Sequence, residues 1–395
     1  MEKTVAVVGG GISGMGFAHY CTANGFKATV FEKNEIGGCL QSVALNKDAY
    51  YELGGHTLTH TYTSVLEILK YYGKTDVIRE KGNLKFELYT QKGFKSLFSR
   101  IQVLSLLASL PGLGFISKNN LSLASYYGKV LGKKNYKNLF SLLFRAILCQ
   151  EPDNFPAEKL FKKRNKDKTF PKKYVLEKGV QQLLEIIGTN PNITCKENTT
   201  VTAISKHDDT YRIWSNNELL MEASILALAC PANVAAKLLD DGYPSLANHL
   251  RAIEQVSVET ALLEVLDENT PLFRKKSILG ADNRFYSAIR IPENKGNPLH
   301  WCFYFPADTY SKTEKMNILA EVFQVAPEKI QVKATRTFQL PGLTVANLSA
   351  IAAIEREIKD TNLFFSTNYM DGLSIEDCCV RAKSEAERLV ALTAK

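Results

Sequence analysis

The stretch Thr4-Val5-Ala6-Val7-Val8-Gly9-Gly10-Gly11-Ile12-Ser13-Gly14 decides the fold. Its first five residues form a continuous, mostly β-branched run, the composition of a strand buried on both faces. Gly9, Gly11 and Gly14 follow in the order G-x-G-x-x-G. The first permits a tight turn, the second lets backbone approach a pyrophosphate, and the third allows a helix to pack closely on the strand. From Ile12 to about Asn24 the apolar positions follow a helical period that Gly25 can end. Ala28 to Phe31 reads as a second buried strand, so the unit is β-α-β in a parallel sheet with a right-handed crossover. The helix start, with Ile12 and Ser13 in its first turn, offers free N–H groups and a positive dipole end to phosphates. Glu32 ends the second strand about 20 residues on, where a carboxylate accepts ribose hydroxyls, with Lys33 beside it. These residues predict a dinucleotide site.

Working outward, 395 residues with 45% hydrophobic and 23% charged content fit a soluble globular chain of two domains. The net charge is +8, and eight of the residues between Lys159 and Lys173 are Lys or Arg. A solvated surface loop is the first reading of that cluster. Anionic lipid headgroups or an acidic substrate come second, and nucleic acid last, because no recognised nucleic-acid module accompanies it. Eight cysteines without C-x-x-C pairing or metal-like spacing suit a reducing compartment. A strand starting at Thr4 leaves no room for a signal peptide, so a cytoplasmic protein is expected. The apolar stretch Leu97 to Ile116 carries Arg100 and Pro111 and is too short to span a bilayer. A buried or interfacial helix remains, and with it peripheral contact at the cytoplasmic face of a membrane.

Further along, Leu84 to Tyr89 with Gly93 predicts a small hairpin, and Ile101 to Phe161 is mostly helical in pattern. Gly179 to Ile187 reads as a helix, Val201 to Ser205 and Tyr211 to Trp214 as a meander, and Ser224 to Ala229 as another buried strand. Glu259 to Val265 and Leu299 to Phe305 are strand-like. Leu363 to Ser366 is a short strand leading to a final helix from Ser374, opened by a Ser374/Asp377 variant of the capping box. The pattern predicts an α/β fold: a discontinuous Rossmann-type domain from residues 1–60, 175–255 and 340–395. A second α+β substrate domain, mixed sheet plus helices, comes from 61–174 and 256–339.

Two more glycine pairs, Gly37-Gly38 and Gly54-Gly55, suggest a ligand longer than NAD, along which the backbone must come close again. FAD is such a ligand. At this point the sequence resembles the flavin amine oxidase superfamily, which includes protoporphyrinogen oxidases and phytoene desaturases. The resemblance rests on Val5 to Glu32 with Gly37-Gly38-Cys39-Leu40-Gln41-Ser42, and on Tyr51-Glu52-Leu53-Gly54-Gly55-His56-Thr57. It continues in Gly179 to Pro231, in Gln339-Leu340-Pro341-Gly342-Leu343, and in Asn368-Tyr369-Met370-Asp371-Gly372-Leu373-Ser374-Ile375-Glu376-Asp377. It implies non-covalent FAD, with Val201 meeting the adenine through its backbone. Gly54, Gly55, His56 and Thr57 would pass the flavin ring, Asn368 would lie near the pyrophosphate–ribityl region, and Asp371, Gly372, Leu373 and Ser374 would close the site. Gly372 and Leu373 would present N–H groups at a helix start to the flavin edge. Three departures stand out: Cys39 replaces the arginine that commonly follows the second glycine pair, Ser366-Thr367 replaces a small residue and glycine, and Arg381-Ala382 replaces Ser-Gly.

With a flavin carrying the difficult step, no protein nucleophile is required, and none is visible. His56 is read as lining the flavin and His60 as structural; two histidines four apart are too few for a metal site. Tyr286, Trp301 and Tyr304 are candidates for an aromatic substrate wall, or equally for a packed core. The expected activity is an FAD-dependent oxidoreductase, an oxidase or desaturase taking hydride from a small apolar or amine-bearing substrate. A flavin-dependent isomerase like the related UDP-galactopyranose mutases is the second reading, and a non-catalytic flavoprotein subunit the third.

Overall fold

The structure, a computed structural model, describes residues 4–394 apart from 47–48, 55–56, 83–84, 110–115, 268, 274, 276 and 292–298. Five parallel strands form the first sheet, in the order Ile193–Lys196, Lys27–Phe31, Thr4–Val8, Ile225–Leu228, Leu363–Phe365. Val5 pairs with Ala28 on one side and Ile225 on the other. Val5, Ala6 and Val7 have no solvent exposure. Both faces are covered, as a run of apolar residues without alternation requires. Val5 and Val7 pack with the first helix (Ile12–Ala23), the terminal helix (Ile375–Thr393) and Gln182–Gly188. Ala6 and Val8 pack with helices Ala232–Leu239, Pro244–Arg251 and Asn347–Ile358. Asn24 caps the first helix and Gly25 takes φ +84 beyond it.

The second sheet has seven strands in the order Ile330–Pro341, Gln255–Val265, Leu299–Pro306, Ser287–Arg290, Ser277–Gly280, Phe86–Thr90, Gly93–Ser96. It is mixed, because Ser277–Gly280 and Phe86–Thr90 run parallel while the other pairs are antiparallel. The hairpin turns at Gly93, whose φ is +91. Helix Lys312–Phe323 covers one face, over Trp301, Phe303 and Phe305. The opposite face carries Tyr286, Cys302 and Tyr304 and meets Tyr51 and Leu53. The fold is the α/β arrangement of a Rossmann-type unit with a second, α+β unit.

One helix departs from the sequence boundary at residue 60. Helix Thr63–Tyr71, placed in the substrate segment, packs Val65, Leu66, Ile68 and Leu69 into the core around the first helix. Its own N-cap side chain makes no capping bond. Instead Glu376, from the terminal helix, accepts the Ser64 N–H at 2.9 Å and the Val65 N–H at 3.2 Å. That long-range cap holds the helix on the parallel-sheet unit and cannot be seen in local sequence.

Candidate dinucleotide-binding site

The glycine loop is fixed by contact. Gly9 has φ +115, and a Cβ there would lie 2.5 Å from the Ala229 carbonyl oxygen; one on Gly14 would lie 1.9 Å from the Gly9 oxygen. No other residue fits either position. Gly11 is the N-cap of the first helix, with extended backbone, no side-chain capping bond and no acid in the first turn. The N–H groups of Ile12, Ser13 and Gly14 thus open a helix whose start has no anionic partner of its own, the arrangement that suits a phosphate.

Three distant segments close on that start. Gly38 takes φ +57, and its missing Cβ would sit 2.7 Å from Gly11 Cα. The Gly37 N–H donates to the Gly10 oxygen at 3.1 Å. Ser366 donates its hydroxyl to the Ser13 oxygen at 2.8 Å, which gives the Ser366-Thr367 departure a structural role. The Glu32 carboxylate accepts from Gly10 N–H at 2.8 Å and from Asn34 N–H at 3.1 Å, so it borders the loop, while Lys33 is exposed. Thr199 N–H bonds the Glu32 oxygen, which brings the segment before Val201 alongside; Val201 buries its side chain in the core, leaving its backbone as the part that can face a ligand.

The third segment supplies a residue that sequence reading missed. Cys39 removes an arginine from the second glycine pair, yet Arg336, on strand Ile330–Pro341, donates to the Gly38 oxygen at 2.6 Å and to Gln41 Oε1. The guanidinium returns to the loop from 298 residues away. No carboxylate lies within ion-pair distance of it among the described residues. Nothing in its alternating strand marks it out locally.

Gly54 is explained by packing, since a Cβ would fall 1.9 Å from the Cys39 oxygen. Gly55 and His56 lie outside the described residues. Thr57 Oγ1 accepts from Lys81 Nζ at 3.0 Å. His60 follows the short strand Leu58–Thr59 in a turn. Next to Gly54, the Glu52 carboxylate accepts from Ser42 Oγ and Val180 N–H at 2.7 Å each. Burial pushes its carboxyl up to about 7 against those bonds, and lowers the neighbouring Lys81 to about 8.

At the closing motif, Asn368–Asp371 is a short helix and Ser374 caps the terminal helix. Ser374 Oγ accepts the Asp377 N–H at 3.0 Å, and Asp377 accepts the Ser374 N–H at 3.3 Å, the reciprocal box expected. The expectation for Gly372 needs correcting: its N–H is donated to the Asn368 oxygen at 3.1 Å, leaving Leu373 of the pair for any contact with a ligand. The basic cluster is a solvated surface only in part: Lys163, Lys166, Lys168 and Lys172 are exposed, whereas three of its cations are engaged. Arg164 reaches Asp377 at 2.7 Å and Lys162 reaches it at 3.1 Å. Lys162 also donates to the Asp371 oxygen at 2.7 Å, and Lys159 to the Met370 oxygen. Three cations are drawn onto a buried carboxylate and the exposed carbonyl end of a short helix. Arg381 is likewise structural, buried between Glu355, Glu385 and the Phe365 oxygen.

The aromatic candidates separate by face. Tyr304 Oη lies 3.4 Å from the Gly54 oxygen, and Tyr286 stacks under Arg145 at 4.8 Å, both on the side of Tyr51 and Leu53. Trp301 is on the opposite face, fully buried against Phe303 and Phe323. Alternation along one strand puts Trp301 and Tyr304 on different sides, so Trp301 is core and not substrate wall.

Comparison with known proteins agrees with this geometry. The family model for the NAD(P)-binding Rossmann-like domain matches residues 7–72. No curated protein matches the sequence. Among solved structures, a protein assigned as a protoporphyrinogen oxidase from Exiguobacterium sp. 255-15 is similar at TM-score 0.77 and 15% identity, with 98% of this chain and 99% of that one covered. A fatty acid isomerase from P. acnes, which produces CLA, is similar at 0.76 and 15%, covering 97% and 98%. Cyclohexylamine oxidase from Brevibacterium oxydans IH-35A is similar at 0.70 and 11%, covering both chains completely. At these identities the likeness is one of fold. The class so defined is an α/β protein with a Rossmann-like unit, in a fold shared with these solved structures.

Proposed function

We propose that this chain holds FAD non-covalently and acts as an oxidoreductase, an oxidase or desaturase that removes hydride from a C–H of a small apolar or amine-bearing substrate. The observation that carries this reading is the convergence on the open start of the first helix: Gly38 against Gly11, Ser366 on Ser13, and Arg336 on the Gly38 carbonyl. A single mononucleotide would need only the first glycine loop; the second glycine pair and the arginine extend the cradle.

When bound, FAD supplies the hydride acceptor, which no side chain here can provide. The remaining work is binding, orientation and exclusion of water. The first-turn N–H groups of Ile12, Ser13 and Gly14 receive the diphosphate, Arg336 adds its positive charge, and Glu32 takes the ribose hydroxyls. Tyr286 and Tyr304 form the wall against which a substrate is held, beside Gly54.

Anaerobic mixing of purified protein with amines, porphyrinogens and polyenes, followed by admission of air, tests the reading. Bleaching of the flavin absorbance by one class supports it, and peroxide on reoxidation marks an oxidase. A colourless protein that takes up no added FAD defeats it. The likeness to a fatty acid isomerase favours a second reading, an isomerase that uses the same site without net oxidation. It is recognised by a product of unchanged oxidation level and no consumption of oxygen.

A further inference from the structure

Between Glu87 and Glu151 the chain carries nine Lys and Arg residues and not one Asp or Glu. This tract alone exceeds the formal net charge of the whole protein, +8. It folds as the edge strand Gly93–Ser96, the short turn of helix Leu97–Arg100, and the helices Val103–Ser109, Leu123–Val130 and Ser141–Leu148. Within it, apolar side chains point into solvent: Phe98 is 80% exposed, Val103 60% and Leu104 84%. Isolated exposed leucines are ordinary, but three large apolar side chains exposed within the short segment from Phe98 to Leu104, in a tract with no acid, are not.

The segment that carries them is held in place. Asn135, with no solvent exposure, accepts the Gln102 N–H at 2.7 Å and donates to the Gln102 oxygen at 3.0 Å and the Leu131 oxygen at 2.9 Å. Ser105 packs against Gly132 so closely that a Cβ there would meet its hydroxyl oxygen at 2.3 Å. Arg100 donates to the Asn138 oxygen. Val103 and Leu104 are therefore presented by a braced helix and Phe98 by the short turn before it, with Lys133, Lys134 and Lys137 all exposed on the following segment; Lys95 is exposed on the adjoining edge strand.

We propose that this tract is a docking surface for an anionic lipid bilayer, with Phe98, Val103 and Leu104 entering the headgroup–acyl boundary and the lysines meeting lipid phosphates and carboxylates. Protruding apolar side chains ringed by cations suit a fluid anionic interface. A second copy of the chain would bring like charge against like. No helix among the described residues is long and apolar enough to cross a membrane, so the contact is peripheral. Lys159, Lys162 and Arg164 are not part of this surface, because they are committed to the closing motif. The inference stands independently of the flavin reading.

Co-sedimentation with vesicles of phosphatidylcholine alone, and of phosphatidylcholine mixed with phosphatidylserine, tests it. The intact protein should bind the anionic vesicles at low salt, release at high salt, and leave the neutral ones unbound. Each lysine near the surface contributes about a fivefold factor, so the triple variant K133Q/K134Q/K137Q should bind roughly a hundredfold more weakly. The F98S/L104S variant should lose roughly tenfold or more. All five positions are exposed, so both variants should keep the wild-type melting temperature and any bound flavin. Equal binding to neutral and anionic vesicles overturns the proposal, as does failure to bind at low salt. So does sedimentation showing a dimer that F98S/L104S dissolves. Binding by a protein without flavin would leave the proposal intact while removing the functional reading.

Discussion

Two helix starts face the same region of the molecule and are finished in opposite ways. The first helix opens at Gly11 with no side-chain cap and no acid. The terminal helix opens at Ser374 with a complete capping box, and its Asp377 is further paired to Arg164 and Lys162. A start that satisfies its own N–H groups needs no ligand; a start left open among glycines is stable only with water or an anion upon it. The contrast is consistent with the proposal that a phosphate sits on the first helix, with the terminal helix as a strut that positions the closing motif.

Breaking the open start should have the largest effect. Gly14→Ala forces a Cβ against the Gly9 oxygen, for which neither backbone can give way; a loss of at least about 3 kcal/mol is expected, read as a lowered urea midpoint together with loss of bound flavin. Asp377→Ala removes the box and strands two cations, costing about 2–4 kcal/mol of stability in thermal or urea melts. If the strut role is right, the FAD affinity of the protein that remains folded changes little. Arg336→Ala sharpens the contrast in the other direction. It should weaken FAD binding by roughly 10- to 100-fold in fluorescence titration of the apoprotein, with a small change in melting temperature.

The carboxylates differ in the same sense. Asp377 has two cations, whereas Glu52 is held mainly by neutral donors and burial raises it to about 7. A carboxyl raised from 4.5 in the unfolded chain binds more protons in the native state between those values. Its contribution is complete below pH 4.5 and is lost as pH rises through 7. Glu52→Gln should flatten the stability profile over that window by about 1–2 kcal/mol, followed by urea midpoints at successive pH values. Tyr304→Phe is the smallest change. It removes one long hydrogen bond to Gly54 and should cost under about 1 kcal/mol in stability, while raising the substrate concentration needed to bleach the flavin.

Much of this was legible in the chain itself. The strand–glycine–helix–strand opening is local: an unbroken apolar strand, glycines at fixed spacing and an acid at the next strand end can arrange themselves in few ways. The terminal capping box was equally readable, since Ser374 and Asp377 lie one turn apart. The strand-like run Leu299 to Phe305 predicted a strand, but not which face would look toward the glycine loop. Packing helix Lys312–Phe323 on one side made Trp301 core and left Tyr304 facing Gly54.

Sequence alone determined the parallel nucleotide unit and the glycines that shape its loop, because those requirements are short-range and steric. Only the tertiary structure decided where the charges go. Arg336 meets Gly38, Glu376 caps the helix at Thr63, and the basic cluster at 159–164 grips Asp377, each across hundreds of residues. A charge chooses its partner by distance in space and by burial, and neither is written in spacing along the chain.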